Sequence, residues 1–371
     1  MTQPLKLLHV RGDLLAPWLM AAFFPLEETG FRQACILRRN NRFPIPDDFP
    51  LQLVRLRGGP RLGDVASGLW LKNLLVSRSF DREYCYGLEP HLAGFDVVRS
   101  ADISYPFTWQ CVRAHNKGRA PPVAVTVHEN IPHIWGYKAK AQPCIEEVRR
   151  GAALFIALTH YSAQLCRQEG IEEKRIRVAG LAVDPARFRP GEADVSLRGE
   201  LAADPEGFVV LALGRLTWEK GQQDLVHAVR ALRLKGERVS AALVGSGSGE
   251  KELRRLIGLY GLEDAVRLVG PFPYDRVPAL LHSADCLVQP SLPIPRWQEQ
   301  FGMAALEAMA CGVPVITTPT GGIPEVVADA GLYFTAGNYV ELAERVHRLA
   351  AEPGLRRDLA ERGRERARLF S

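Results

Sequence analysis

The stretch Glu299-Gln300-Phe301-Gly302-Met303-Ala304-Ala305-Leu306-Glu307-Ala308-Met309-Ala310-Cys311-Gly312-Val313-Pro314-Val315-Ile316 decides the fold class. It leaves a proline-rich loop, and its spacing predicts a helix from about Phe301. The helix stops at Cys311-Gly312, because glycine readily takes the left-handed conformation that closes a helix C-terminus. The short apolar run Val315–Thr317 follows as a buried strand. A helix, a glycine turn and a buried strand make one unit of an α/β protein with a parallel sheet.

The same alternation extends in both directions. On this domain's side the expected strands are Val209–Leu213, Ser240–Val244, Val266–Val269, Leu287–Gln289, Val315–Thr317 and Leu332–Phe334. Helical periodicity falls near 222–235, 250–260, 276–283, 301–310 and 339–350. Earlier in the chain the expected strands are Lys6–Val10, Gln33–Leu37, Gln52–Leu56, Asp96–Arg99, Val123–His128, Phe155–Leu158 and Arg177–Ala179. Helical patterns there include Gly63–Val76 and Ser162–Glu169. The run Asp184-Pro185-Ala186-Arg187-Phe188-Arg189-Pro190-Gly191 interrupts the alternation, and the polar stretch to Gly207 reads as a hinge and capping segment. With 371 residues, more than one hydrophobic core usually serves, two doubly wound domains are expected, 1–190 and 191–371. Ligands of such folds bind beyond the carboxyl ends of the strands.

Composition narrows the class. The chain is 47% hydrophobic and 24% charged, as soluble globular proteins are. Its seven cysteines are scattered, with no Cys-x-x-Cys pair, which disfavours structural zinc and a disulfide framework and suits a reducing, cytoplasmic setting. The apolar stretch Leu5–Val10 runs into Arg11-Gly12-Asp13, unlike a secretory leader. The next, Leu14–Leu26, contains Pro17 and Pro25 and falls short of the roughly 20 residues that span a bilayer. Up to Pro190 there are 26 lysines and arginines against 18 aspartates and glutamates; beyond it acids exceed bases. That imbalance reads either as a solvated surface or as a basic half that meets an anionic partner, such as a membrane face or a lipid phosphate. Nucleic acid is not expected, because no dense basic run carries interleaved aromatics.

Three segments carry chemistry. Leu213-Gly214-Arg215-Leu216-Thr217-Trp218-Glu219-Lys220-Gly221 sits between a strand and a helix. Its two cations, five residues apart, can straddle a pyrophosphate, Arg215 as a fork and Lys220 as a point charge. Val244-Gly245-Ser246-Gly247-Ser248-Gly249 ends the next strand; it does not fit Gly-x-Gly-x-x-Gly, which disfavours a nicotinamide oxidoreductase. It reads as a turn whose missing side chains leave room for a nucleotide, or as a purely structural turn. In the opening block, the backbone N–H groups of Phe301 and Gly302 lie where a helix start binds anions. Glu299 and Glu307 are eight residues apart, a helical rise of about 12 Å. That exceeds the roughly 5–9.5 Å between glycosidase carboxyls and suits the two ends of one elongated ligand.

Gly214-Arg215-Leu216 with Lys220-Gly221, the Glu299-x7-Glu307 block and Thr320-Gly321-Gly322-Ile323-Pro324-Glu325-Val326-Val327 occur in an order that resembles retaining GT-B glycosyltransferases of family 4, the group 1 glycosyl transferases. Val183–Pro190 is similar to that family's hinge, and Ile156-Ala157-Leu158-Thr159-His160-Tyr161-Ser162 to the last strand and helix of its first domain. The resemblance implies two Rossmann-like domains facing across a cleft, with a nucleotide-diphosphate sugar as donor. Arg215 and Lys220 would hold the diphosphate beside Gly214, Gly245 and Gly247. Glu299 would bind donor-sugar hydroxyls, with the amides of Gln300, Phe301 and Gly302 nearby, and Glu307 the ribose hydroxyls. His128, which on sequence alone is as readily structural, would stand beside the reacting centre, and Glu129 rivals it for acid–base work. Gly12, Asp13 and Glu129 are the acceptor-side candidates, although Val10-Arg11-Gly12-Asp13 stands where the family has a glycine-rich loop. No Asp-x-Asp occurs, so no metal or other cofactor is expected, and protein cations neutralise the diphosphate. The implied reaction is transfer with retention by front-face attack. The alternatives are a 2-epimerase-like enzyme acting on a nucleotide sugar and a non-catalytic binding protein. The acceptor is not named by the sequence.

Overall fold

Fourteen strands fall into two sheets in the computed structural model, which describes residues 3–58, 83–134, 141–202 and 204–371. The helix expected over Gly63–Val76 lies outside the described residues. The first sheet contains β1 (Leu5–Gly12), β2 (Phe31–Arg38), β3 (Gln52–Gly58), β4 (Cys85–Tyr86), β5 (Val97–Ala101), β6 (Val123–Val127), β7 (Leu154–Ala157) and β8 (Ile176–Val178). Its order is β4-β3-β2-β1-β5-β6-β7-β8, parallel throughout except for the two-residue β4. The second contains β9 (Phe208–Leu213), β10 (Val239–Val244), β11 (Val266–Gly270), β12 (Cys286–Gln289), β13 (Val315–Thr317) and β14 (Leu332–Tyr333), in the order β11-β10-β9-β12-β13-β14.

The second order is that of a doubly wound dinucleotide fold, with its winding reversed between β9 and β12. The residues dictate it. Strands such as Phe-Val-Val-Leu-Ala-Leu in β9 and Val-Ser-Ala-Ala-Leu-Val in β10 are buried along almost their whole length, so both faces need helices, and only parallel crossovers supply them. Helices Gln222–Leu234 and Tyr339–Ala351 set Leu225, Val229, Leu342 and Val346 into that core. In the first sheet the reversal lies between β1 and β5, and Leu8, Val10, Val98 and Val125 form the core with Phe107 of helix Pro106–Asn116.

Two compact units result, 1–180 and 181–371. The division falls at Gly180 instead of near residue 190, because the segment after it is bonded into the second unit. Val183 N–H donates to the Phe370 carbonyl at 2.8 Å, and the His282 ring bonds the Arg189 carbonyl at 2.9 Å. The polar stretch expected only as hinge and cap contains helix Val195–Leu201. It starts on an Asp194 carboxylate that accepts the Leu197 N–H, and it buries Leu197 and Leu201. The helix expected from Phe301 begins at Met303, because Gly302 stands before it at φ +99°, outside the helical region. Within the apolar Leu14–Leu26 stretch, Leu15 and Met20 pack against Cys35, Leu37 and Leu51. No helix among the described residues is long and apolar enough to cross a membrane.

Candidate active site

In the second unit the switch point is built from loops following β9 and β12. Beyond β9, Gly214 adopts φ +146° and donates its N–H to Val244. The short turn Trp218–Lys220 ends on Gly221 at φ +72°, where a Cβ would lie 1.8 Å from the Pro290 carbonyl oxygen. Only glycine lets this loop seat on the end of β12, and the Leu292 N–H locks it by bonding Glu219 O at 2.8 Å. The loop presents Arg215, whose side chain is 61% exposed with only Glu219 nearby at 3.4 Å. An exposed pair of this kind holds the guanidinium weakly, so its charge stays available.

The glycines after β10 pack against the loop that follows β9. A Cβ on Gly245 would fall 1.9 Å from the Gly214 carbonyl oxygen, and one on Gly247 would fall 2.3 Å from that of Leu216. The space their missing side chains leave is occupied by backbone, not open for a nucleotide. Leu216 N–H donates to Ser246, and Gly249 N–H donates to Leu216. The two loops are laced together, which fixes where Arg215 and Lys220 begin.

Lys220 and Glu299 meet at the centre of the site. The ammonium donates to Glu299 Oε2 at 2.7 Å, and the Ser291 hydroxyl donates to the same oxygen at 2.9 Å. Lys220 also lies 4.8 Å from the Trp297 ring centroid, within reach of a cation–π attraction. Burial pushes the Glu299 carboxyl up, but the Lys220 charge and the bonds from Lys220, Ser291 and Gln289 outweigh it and hold the group below its ordinary range. The Glu299 carbonyl accepts the Gly322 N–H at 2.8 Å, tying the Thr320–Val327 motif to this loop. Gln300 and buried Phe301 lie before the helix, with the Phe301 ring edge-on to Phe370.

Glu307 sits within helix Met303–Ala310, buried, and does not share Glu299's partners. Its Oε1 accepts the Tyr274 hydroxyl at 2.8 Å. Burial raises Glu307 to about 7, against the opposing pull of Tyr274 and of the Arg187 charge. Tyr274 is a partner of Glu307 that the sequence did not single out.

The first unit carries its own cluster at the strand ends. His128 follows β6, and its Nδ1 lies 3.3 Å from Asp102 Oδ2. Asp102, at the end of β5 with φ +50°, also accepts the N–H groups of His128 at 2.8 Å and Glu129 at 3.2 Å through Oδ1. Burial pushes this carboxyl up, but the His128 charge and these bonds more than offset it and hold it low. Asp102 organises this cluster, and the sequence reading did not single it out. Glu129 turns back on its own loop, accepting Asn130 and Ile131 N–H at 2.9 and 3.2 Å. Gly12, at φ +56°, leaves room for the Phe107 ring. Asp13 is paired with Arg42 at 3.1 Å.

The comparisons with known proteins agree with this geometry. The pattern described as Glycosyltransferase Family 4 matches residues 46–187, and that described as Glycosyl transferases group 1 matches 196–366. The chain is 32% identical to a D-inositol 3-phosphate glycosyltransferase of Streptomyces bingchenggensis, over 61% of this chain and 51% of that one. It is 30% identical to the 2-deoxystreptamine glucosyltransferase of Streptomyces kanamyceticus, over 71% and 65%. It thus spans about half the length of the inositol-phosphate relatives it matches. The structure of Anabaena HepE in complex with UDP and glucose superimposes with a TM-score of 0.77, covering 99% of this chain and 95% of that one at 23% identity, a likeness of fold. With the two patterns lying end to end along the two units, the chain belongs to the group 1 glycosyl transferases of glycosyltransferase family 4.

Proposed function

We propose that this chain transfers a hexose from a nucleotide-diphosphate sugar to an acceptor, with retention and without a metal. The observation that carries the reading is the Lys220–Glu299 pair at the β9/β12 switch point, with Arg215, exposed and only loosely paired with Glu219, on the same loop as Lys220. In this reading the two cations neutralise the diphosphate as it leaves. Glu299 is a buried acceptor without a proton of its own to offer, suited to take hydrogen bonds from sugar hydroxyls. Glu299 and Glu129 each already accept at least two hydrogen bonds. Neither is free as a nucleophile, so the leaving phosphate is assigned the acceptor's proton in a front-face displacement. His128, steadied by Asp102, is assigned to the reacting centre. UDP-hexoses are the first donors to try, since the HepE structure holds UDP and glucose.

Thermal denaturation with UDP, GDP and ADP tests the donor site. A ligand at 100 times its Kd stabilises by about 2.7 kcal/mol, several degrees for a domain of this size. One nucleotide is expected to shift the wild type and to shift Arg215→Ala much less; no shift with any of them ends the reading. The anomeric configuration of the product, by proton NMR, then decides retention, and full activity in EDTA decides metal independence.

Glu307 supplies a pH-dependent expectation. Its folded value of about 7 lies above the ordinary 4.5, so its contribution to stability is complete below 4.5 and is lost as pH rises through 7. Glu307→Gln should therefore melt higher than the wild type at pH 8, by up to about 3 kcal/mol, with the difference vanishing toward pH 4.5. The same variant should bind the nucleotide more weakly, because the ionised carboxylate is the better acceptor for ribose hydroxyls. Melting curves across pH, with and without nucleotide, check both halves.

A further inference from the structure

Two buried guanidinium groups of the first unit, those of Arg11 and Arg99, form no ion pair with a carboxylate among the described residues. Arg11 stands at the carboxyl end of β1, at the bulge where the β1/β2 register slips between Val10 and Gly12. Bulges there re-aim a side chain and cluster near binding sites. Arg11 is only 4% exposed, and among the described residues its Nε and Nη1 have no hydrogen-bond partner. Arg99, 5% exposed on neighbouring β5, bonds the neutral groups Thr126 Oγ1 at 2.9 Å and His9 Nδ1 at 3.3 Å, and stacks over Phe23. The two guanidinium groups are close enough to repel, and burial pulls both down from their ordinary range. His9 adds no further charge, since burial and the Arg99 charge lower it to about 3. Asp102 attracts Arg11, but both its oxygens are already committed to His128 and Glu129.

Unbonded buried guanidinium donors are costly, and here they lie at the β1/β5 switch point, the end of the sheet where doubly wound folds bind ligands. We infer that Arg11, backed by Arg99, is the anchor of an oxyanion site in the first unit, and that its ligand is a phosphate monoester carried by the acceptor. A dianion matches two guanidinium charges, and the planar fork matches phosphate oxygens. The assignment to the acceptor rests on the proposed transfer reaction; the anion site itself does not.

The test is titration of inorganic phosphate, followed by phosphorus NMR, into the full chain carrying Arg215→Ala, so that the donor loop does not bind it. Phosphate is expected to bind. Adding Arg11→Gln should weaken it at least about tenfold, and Arg11→Lys should restore part of the loss. Glucose 6-phosphate against glucose, and vesicles with phosphatidic acid against phosphatidylcholine alone, then separate a soluble acceptor from a lipid one. Preference for the phosphorylated member in either arm, lost in Arg11→Gln, supports the site. Absence of phosphate binding, or equal binding by Arg11→Gln, overturns it. If Arg11→Gln does not fold, the comparison of Arg11→Lys with its parent decides, because a lysine lacks the fork and must bind more weakly. A failure of UDP to shift the wild type would remove the transfer reading alone.

Discussion

Glu299→Gln is expected to lower kcat/KM for sugar transfer by about three orders of magnitude and to destabilise the second unit by about 3 kcal/mol. The stability loss follows from Lys220. Its ammonium is mostly enclosed, bonded at 2.7 Å to Glu299 and lying against Trp297. An amide keeps an acceptor for Ser291 and removes the charge, so a cation is left buried and unpaired, which is the expensive half of breaking an ion pair. The activity loss has a separate origin: a neutral amide is a weaker acceptor for sugar hydroxyls, and Lys220 is no longer held in place for the diphosphate. A double-mutant cycle with Lys220→Met separates the two. Removing both charges is expected to recover most of the stability, because the unpaired cation is gone, and none of the activity. Activity that returned with stability would reduce the pair to a structural device. The acid limb follows from the same carboxylate. Held below its ordinary 4.5, Glu299 contributes stability above that pH that is lost as pH falls through its folded value. The double variant should lack that part of the acid transition.

What the sequence made legible, and what it did not, follows from the range over which each signal acts. The parallel strands were readable because burial on both faces demands runs such as Val209–Leu213 and Ser240–Val244 that no other environment favours. The loop after β9 was readable for the same local reason: Gly214, Arg215, Lys220 and Gly221 lie within one short segment between a strand and a helix. The glycines after β10 were legible as a turn, but what they pack against was not. Their spacing shows that side chains are absent, and only the three-dimensional fold shows that the backbone of Gly214 and Leu216 fills the gap. Helix Pro353–Ala367 was passed over because it buries only the narrow line Leu359, Gly363 and Ala367. Its remaining charged positions carry no period that a pattern detects. Glu307 was legible as a candidate, but not its partner, because Tyr274 lies 33 residues away along the chain. Asp102 and Arg11 were invisible for a related reason. Each is a single polar residue at a strand end, and what distinguishes it is burial and the neighbouring strand, neither of which sequence records.

Asp102 yields the sharpest separation of fold from chemistry. Asp102→Ala is expected to destabilise the first unit by about 3 kcal/mol or more. Two backbone donors, the N–H groups of His128 and Glu129, lose a buried acceptor, at about 1–3 kcal/mol each when left unsatisfied. Alanine must also hold φ +50°, a left-handed position that aspartate and asparagine tolerate better. Asp102→Asn keeps both features, since its carbonyl oxygen can accept the same N–H groups and its backbone visits the same region. Its melting temperature at neutral pH should fall by much less than that of Asp102→Ala, losing only what the charge itself contributes. It nevertheless removes the negative charge that faces His128 at 3.3 Å, so kcat/KM should fall on the order of a hundredfold, the lower end of the range in which a positioned acid–base partner acts. A further difference appears on acidification. The wild-type carboxyl is held below its ordinary 3.8, so its contribution to stability is present above that pH and lost below it, whereas asparagine has nothing to titrate. Melting curves from pH 3 to 7 should show the wild type losing more stability than Asp102→Asn at the acid end. Should Asp102→Asn retain full activity, His128 would need no counter-charge, and Asp102 would be a backbone brace alone.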